Sequence, residues 1–344
     1  MPRIRIGQQT AGGTLQQTIT DRINAGRVVP ILSSAVCTDL VLGEGQHQKL
    51  VNAYAQHVGY DPNHLAGGLT LPHIAQYVSI IRERVPDPIA AKELYLKFVK
   101  SWLFELAEAG GRPQAILDEL DEEFDTINLT SLAERLGIPD FKRGANDPLL
   151  VLADFSLPIY LTTGHHAYIE MALKRTGKAP RTVLCPWREG IDPRPFYFDA
   201  QNRPVFDDTH RPSPTEPLVY HLHGFDQVPP SLVLSEDDYL EFLVAISRDK
   251  GRNTDIIPKT VREALIESSL LLLGYHLRSW DFRAIFWSLI KSDIKRNYKS
   301  VSVQLEPDEV DEKYLQAYLN QADFDVYRGS IYDYVQELRR EVAG

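Results

Sequence analysis

The chain has 344 residues, 43% of them hydrophobic and 24% charged, which suffices for one large globular unit carrying an insertion or for two modest ones. A formal net charge of -10 excludes a fold that gathers nucleic acid by its overall field, because a phosphate backbone would be repelled. Two cysteines, Cys37 and Cys185, exclude both a disulfide framework and a four-thiolate zinc module.

Elements are expected in the following chain order. Residues 14–26 spell an entry helix with Ile19 and Ile23 facing inward, and Gly26 stops it. Val28-Val29-Pro30-Ile31-Leu32 is an apolar run ending in the small residues Ser33-Ser34-Ala35, as when a buried parallel strand opens into a ligand loop. From His47 to Gly137 the pattern becomes helical, in segments near 47–58, 73–85, 90–109, 113–123 and 130–136. Tyr95, Phe98, Val99, Trp102, Leu103 and Leu106 form its clearest apolar stripe, which we read as core. This stretch, 47–146, is expected to be a helical insertion capping one end of a sheet.

After Asp147 an α/β rhythm returns. Leu157 to Thr163 reads as a strand, Tyr168 to Arg175 as a helix, Arg181 to Leu184 as a strand, and Phe196 to Phe206 as a hairpin within a Pro-rich polar stretch. Leu218 to Leu222 is a strand closed by a His223-Gly224 turn. Ser235 followed by Asp238 has the spacing of a capped helix start, with Tyr239, Phe242 and Leu243 inward. Ser269 to Leu273 is a buried strand ending at Gly274. A helix from Trp280 to Ile290, a strand at 301–304, a helix through Tyr314 and Tyr318, a strand at 324–327 and a last helix from Tyr332 to Val342 complete the pattern. Strands alternating with helices imply a doubly wound, mostly parallel Rossmann-like α/β sheet, formed by residues 14–46 and 147–344. Ligands in such sheets sit beyond the carboxyl ends of the strands.

The N-terminus is charged and no apolar run spans a bilayer, so a cytoplasmic protein with no membrane partner is expected. Basic clusters at Lys174-Arg175 with Lys178 and Arg181, and at Lys291, Lys295-Arg296 and Lys299, read as solvated helix ends rather than as a nucleic-acid surface.

Four strand ends carry the chemistry: 33–37, Thr162-Thr163-Gly164-His165-His166, His221-Leu222-His223-Gly224, and Gly274-Tyr275-His276-Leu277-Arg278. With Val233 to Tyr239 and Trp280-Asp281-Phe282-Arg283, the last two resemble the sirtuin-like domains of bacterial antiphage NADases. These show a Leu-His-Gly turn, an acidic stretch ending Asp-Tyr, Gly-Tyr-Ser-Leu and Asp-Phe-Arg in this order. The resemblance implies NAD as substrate and released nicotinamide as product; no zinc is expected, because two cysteines cannot supply four thiolates. It also implies a homo-oligomer or a protein partner from the same defence system.

The family's catalytic histidine falls on His223, whose imidazole can polarise a ribose hydroxyl or take a proton from water. Three departures surround it. The family's Gly-Ala-Gly loop aligns with Ser33-Ser34-Ala35. Its Thr-Thr-Asn-x-Asp becomes Thr162-Thr163-Gly164-His165-His166, with Gly164 at the Asn and His166 at the Asp; His165 or His166 is left to serve as donor, and His165 is the second candidate catalytic group. Its Gly-Tyr-Ser-Leu carries His276 in place of Ser. Ser33, Ser34, Thr162, Thr163, Gly164, Gly224, Gly274 and Asp281 are the candidate nucleotide contacts.

Two other readings stand beside this one. The first is a degenerate sirtuin-like module acting as a nucleotide-sensing or scaffold subunit. The second is a metal-dependent hydrolase built on His221 and His223, which alternate along a strand and so share a face, together with His165, His166 and His276. A serine-hydrolase site has no Gly-x-Ser-x-Gly to support it. Glu236-Asp237-Asp238 is better explained as the acidic first turn of a helix, and Cys37 as a small buried thiol.

Overall fold

The computed structural model describes residues 3–6, 15–61, 69–82, 88–199, 201–248, 256–275, 280–285, 300–305 and 323–343. Its centre is a ten-stranded sheet. The strands are β1 (Arg3–Ile6), β2 (Val28–Leu32), β3 (Ile159–Thr162), β4 (Arg181–Leu184), β5 (Phe196–Phe198), β6 (Pro204–Phe206), β7 (Leu218–His221), β8 (Ser269–Tyr275), β9 (Ser300–Leu305) and β10 (Asp323–Arg328). They lie in the order β1-β10-β9-β8-β2-β3-β7-β4-β5-β6. From β10 through β4 every neighbouring pair is parallel; β1, β5 and β6 are antiparallel additions at the two edges.

The winding reverses at β2. The chain leaves it toward β3 and β4, turns back to β7, then crosses to β8 on the other flank of β2 and continues outward. Such a reversal parts the loops on either side and leaves a crevice above the carboxyl edge.

The helices are α1 (Leu15–Asn24), α2 (Ser34–Leu42), α3 (Gln46–Val58), α4 (Leu71–Tyr77), α5 (Pro88–Ala109), α6 (Gln114–Glu123), α7 (Leu129–Arg135), α8 (Pro148–Asp154), α9 (Tyr168–Arg175), α10 (Glu236–Arg248), α11 (Lys259–Glu267), α12 (Trp280–Ile285) and α13 (Ile331–Ala343). Period-two alternation sorts the central strands into two cores. Val28, Leu32, Tyr160, Val219, Leu271 and Leu273 join a cluster that runs through α2, α3, α5 to α9 and α13. Val29, Ile31, Leu161, Tyr220, Leu270 and Leu272 join the other, under α10, α11 and α12.

The helices between β2 and β3 are therefore continuous with one face of the sheet, and they also reach over the carboxyl edge. In α4, the Gln76 amide donates to Asp237 at 2.7 Å. In α5, Lys92 meets Asp238 at 2.9 Å, with both side chains 2% exposed. In α7, the Thr130 amide and hydroxyl each donate to Asp226 at 2.8 Å. All three tethers land between Asp226 and Asp238, the stretch that follows β7.

Four elements go beyond the sequence reading: β1, α2, α8 and α11. The largest difference is at Ser33-Ser34-Ala35, expected as an open loop. Helix α2 begins at Ser34, and Ser33 is its N-cap, accepting from the Val36 amide at 3.1 Å. The start of α10 is the expected capping arrangement: the Asp238 amide donates to Ser235 Oγ at 3.2 Å and the Ser235 amide to Asp238 Oδ2 at 3.0 Å. The helix expected through Tyr314 and Tyr318, the end of the helix expected to reach Ile290, and the Lys291 to Lys299 cluster lie outside the described residues. No helix among the described residues is long and apolar enough to cross a membrane.

Candidate functional site

The carboxyl ends of β8, β2, β3 and β7 lie side by side, so Gly274, Ser33, Thr163 and Leu222 open one row along the sheet edge. Ser33 Oγ donates to the Gly274 carbonyl at 2.5 Å, and the Ser34 amide donates to Thr163 Oγ1 at 2.9 Å. Thr162 Oγ1 accepts from the Gly164 amide at 2.8 Å and reaches the Leu32 carbonyl at 3.2 Å. The sequence-derived hydroxyls thus converge, and they are engaged with one another's loops.

The glycines at this edge are set by close approach. Gly274 has φ +71°, and a Cβ there would lie 2.1 Å from Val36 Cβ; Gly224 has φ +85°, and a Cβ there would lie 2.1 Å from the Ser231 carbonyl oxygen. Gly164 sits against Thr162 and Cys37, whose buried thiol is pushed up to about 12 by desolvation. Of this row, Ser34, Ala35 and His166 are partly exposed, whereas Ser33, Thr162, Thr163, Gly164, His165, His223, Gly224 and Gly274 are buried. Asp281 falls in α12, its side chain outside the described set, as are His276, Leu277 and Arg278.

His223 follows β7 and is 1% exposed, with its ring edge-on to Tyr239 and to Phe242 of α10, each at 5.1 Å between centroids. His165 is 4% exposed beneath Tyr95 of α5, and its Nε2 is buried with no hydrogen-bond partner. Burial first, then the neighbouring His166, His223 and His221, hold its imidazole well below the ordinary histidine range. Burial, reinforced by His221, holds His166 down to about 4. Both rings are therefore neutral at physiological pH, and a neutral imidazole takes a proton rather than gives one.

His221 and His223 do not share a face. The strand ends at His221, and the turn at Leu222 breaks the alternation on which the shared face depended. His221 turns toward α9, where its Nε2 lies 2.8 Å from Glu170 Oε1, and its Nδ1 lies 3.0 Å from the Gly164 carbonyl oxygen. With both ring nitrogens so occupied, His221 has none left for a metal. Among the described residues no group of three or more His, Cys, Asp or Glu side chains is placed to hold an ion.

Two acidic residues of this neighbourhood escaped the sequence reading. Glu170 is buried on α9 and also accepts from Thr182 Oγ1 at 2.8 Å. Its signal was a carboxylate beside Ile169 on the buried side of a short amphipathic helix. Asp226 is buried two residues past Gly224, and desolvation raises its carboxyl to about 7 despite the Thr130 donors. Its amide donates to the His165 carbonyl at 2.8 Å, joining the loops that carry the two candidate histidines.

A parallel α/β sheet with a winding reversal at β2, a capped helix start beside it, and histidine-bearing loops at the same edge define a Rossmann-like domain of nucleotide-related type. Residues 158–326 match the family model described as the SIR2-like domain, and the chain accordingly carries a sirtuin-like domain. No curated protein matches the chain at a significant level.

Proposed function

We propose that the chain is a sirtuin-like NAD glycohydrolase, releasing nicotinamide in the cytoplasm as an antiphage defence effector, within a homo-oligomer or beside a protein partner of the same system. The observation that carries the reading is the buried, unpartnered Nε2 of His165 at the carboxyl edge where the chain's winding reverses. An orphaned buried acceptor in a SIR2-like domain suits a ligand hydroxyl or a water, which would relieve its desolvation cost.

The reaction is NAD plus water giving ADP-ribose, nicotinamide and a proton. Nicotinamide leaves as a neutral group from an oxocarbenium-like ribose, so the protein's task is to orient the ribose and guide the water. Neutral His165 takes the water proton. His223, held between Tyr239 and Phe242, orients a ribose hydroxyl. The α2 N-terminus faces the phosphates, with Ser33, Ser34, Thr162, Thr163, Gly164, Gly224 and Gly274 shaping the floor, and Asp281 belongs to the adenosine side.

One observation favours the second reading, a nucleotide-sensing or scaffold subunit without turnover: Ser33 Oγ and the Ser34 amide are bonded to Gly274 and Thr163. Incubation with NAD, followed by chromatographic detection of nicotinamide and by calorimetry, separates the two. The enzyme reading expects release by the wild type and losses of about 10²–10⁴-fold in His165→Ala and His223→Ala. Binding without release selects the sensing subunit, and absence of both results removes NAD from either account.

A further inference from the structure

The pair His221 and Glu170 lies outside the candidate catalytic groups, yet it is wired into the loop that carries one of them. His221 is 0% exposed, and both of its ring nitrogens face acceptors: the Glu170 carboxylate at 2.8 Å and the Gly164 carbonyl at 3.0 Å. A neutral imidazole has one N–H and would present a lone pair to one of these oxygens; only the imidazolium donates to both. Gly164 immediately precedes His165. The same short loop is held by the Thr163 amide on the Leu32 carbonyl at 3.0 Å, the Gly164 amide on Thr162, and the Asp226 amide on the His165 carbonyl.

We propose that His221 is a buried imidazolium paired with Glu170, and that it is a positioning residue which fixes the Gly164 carbonyl and thereby aims the His165 imidazole. The role rests on the NAD-hydrolysing reading of this site. Burial opposes a charge on His221, but the Glu170 carboxylate and the Gly164 carbonyl raise it above its ordinary value. Burial likewise opposes ionisation of Glu170, while His221 and Thr182 hold the carboxyl below its usual value. The other titratable groups facing the pair are Asp226 from the loop after β7, His165 and His166 from the loop after β3, and Cys37 from α2. With Cys37 and the two loop histidines uncharged, and Asp226 held at about 7, Glu170 is the charge that decides the state of His221. The cation in turn is among the neighbours that hold the His165 imidazole below its ordinary value.

The two amide replacements divide the contacts. His221→Asn places a donor where Nδ1 stands and keeps the bond to Gly164; His221→Gln places one where Nε2 stands and keeps only the bond to Glu170. In the full chain, His221→Gln is expected to lose roughly 10–100-fold in kcat with KM little changed, while His221→Asn retains most of kcat. A structural role alone would lower the folded fraction in both and leave kcat per folded molecule unaltered in either. Long-range ¹H–¹⁵N spectra of the wild type should show both His221 ring nitrogens protonated from pH 6 to pH 8. A neutral tautomer in that range overturns the imidazolium. An active wild type with equal kcat in the two variants overturns the positioning role alone. A wild type that releases no nicotinamide overturns the hydrolase reading itself, whatever the spectra show.

Discussion

Asp226 and the loop histidines make opposite demands on pH. The Asp226 carboxyl is raised to about 7 from 3.8, so the stability tied to its protonated form is complete below the unfolded value and is lost as pH rises through about 7. His166 is depressed to about 4 from 6.5, so its contribution is complete above 6.5 and is lost as pH falls through about 4. Asp226→Asn removes only the first dependence. Its stability relative to the wild type should therefore improve, on the order of 2 kcal/mol, between about pH 5 and about pH 8. Urea unfolding at both values measures the difference, and an unchanged gap would show that Asp226 is ionised throughout. None of this was legible in the sequence, because the carboxyl's surroundings come from α7 and from the loop after β3, remote segments of the chain.

At the scale of elements, the turn after β7 is fixed by one glycine. Gly224→Ala brings a methyl into the Ser231 backbone in addition to forcing a left-handed φ, and should cost roughly 3 kcal/mol or more. Gly190, at φ +87° with open space around it, isolates the backbone contribution: Gly190→Ala should cost about 1 kcal/mol. Similar losses in thermal unfolding for the two variants would refute the steric account.

Which elements could be read follows from the same local physics. The strands found at Val28–Leu32, Leu218–His221 and Ser269–Tyr275 were legible because each holds a short apolar run next to a turn or small residue. Helix α2 was not, because Ser33 and Ser34 suit a phosphate loop and an N-cap equally well. Strand β1 was missed because Arg3-Ile4-Arg5-Ile6 is a four-residue edge segment with two charges. At the candidate site, the shared sheet edge of Ser33, Thr163 and Gly274 is readable from the strand ends. The Glu170–His221 pair, 51 residues apart in sequence, was not.

Across the whole molecule, the helices between β2 and β3 pack on one face of the sheet, and Lys92 of α5 meets Asp238 with both side chains 2% exposed. Lys92→Met would leave Asp238 with Arg188, at 3.3 Å, as its remaining cation, and should cost about 3–5 kcal/mol. The exposed pair Lys97 and Asp125 is the comparison, and Lys97→Ala should cost less than about 1 kcal/mol. Calorimetric unfolding of both variants tests this. Equal small losses would mean that these helices are only loosely docked on the sheet edge.

The position of β2 between β3 and β8 also has a consequence for synthesis. Ser33 and Gly274, which meet at the sheet edge, are separated by 241 residues. A ribosome has released β2 and its neighbouring helices long before the strand that completes the midline emerges, and closing so long a loop is a late event. A nascent chain halted before β8 therefore lacks one wall of the crevice. The contact between Ser33 and Gly274 is therefore made only after β8 has been synthesised.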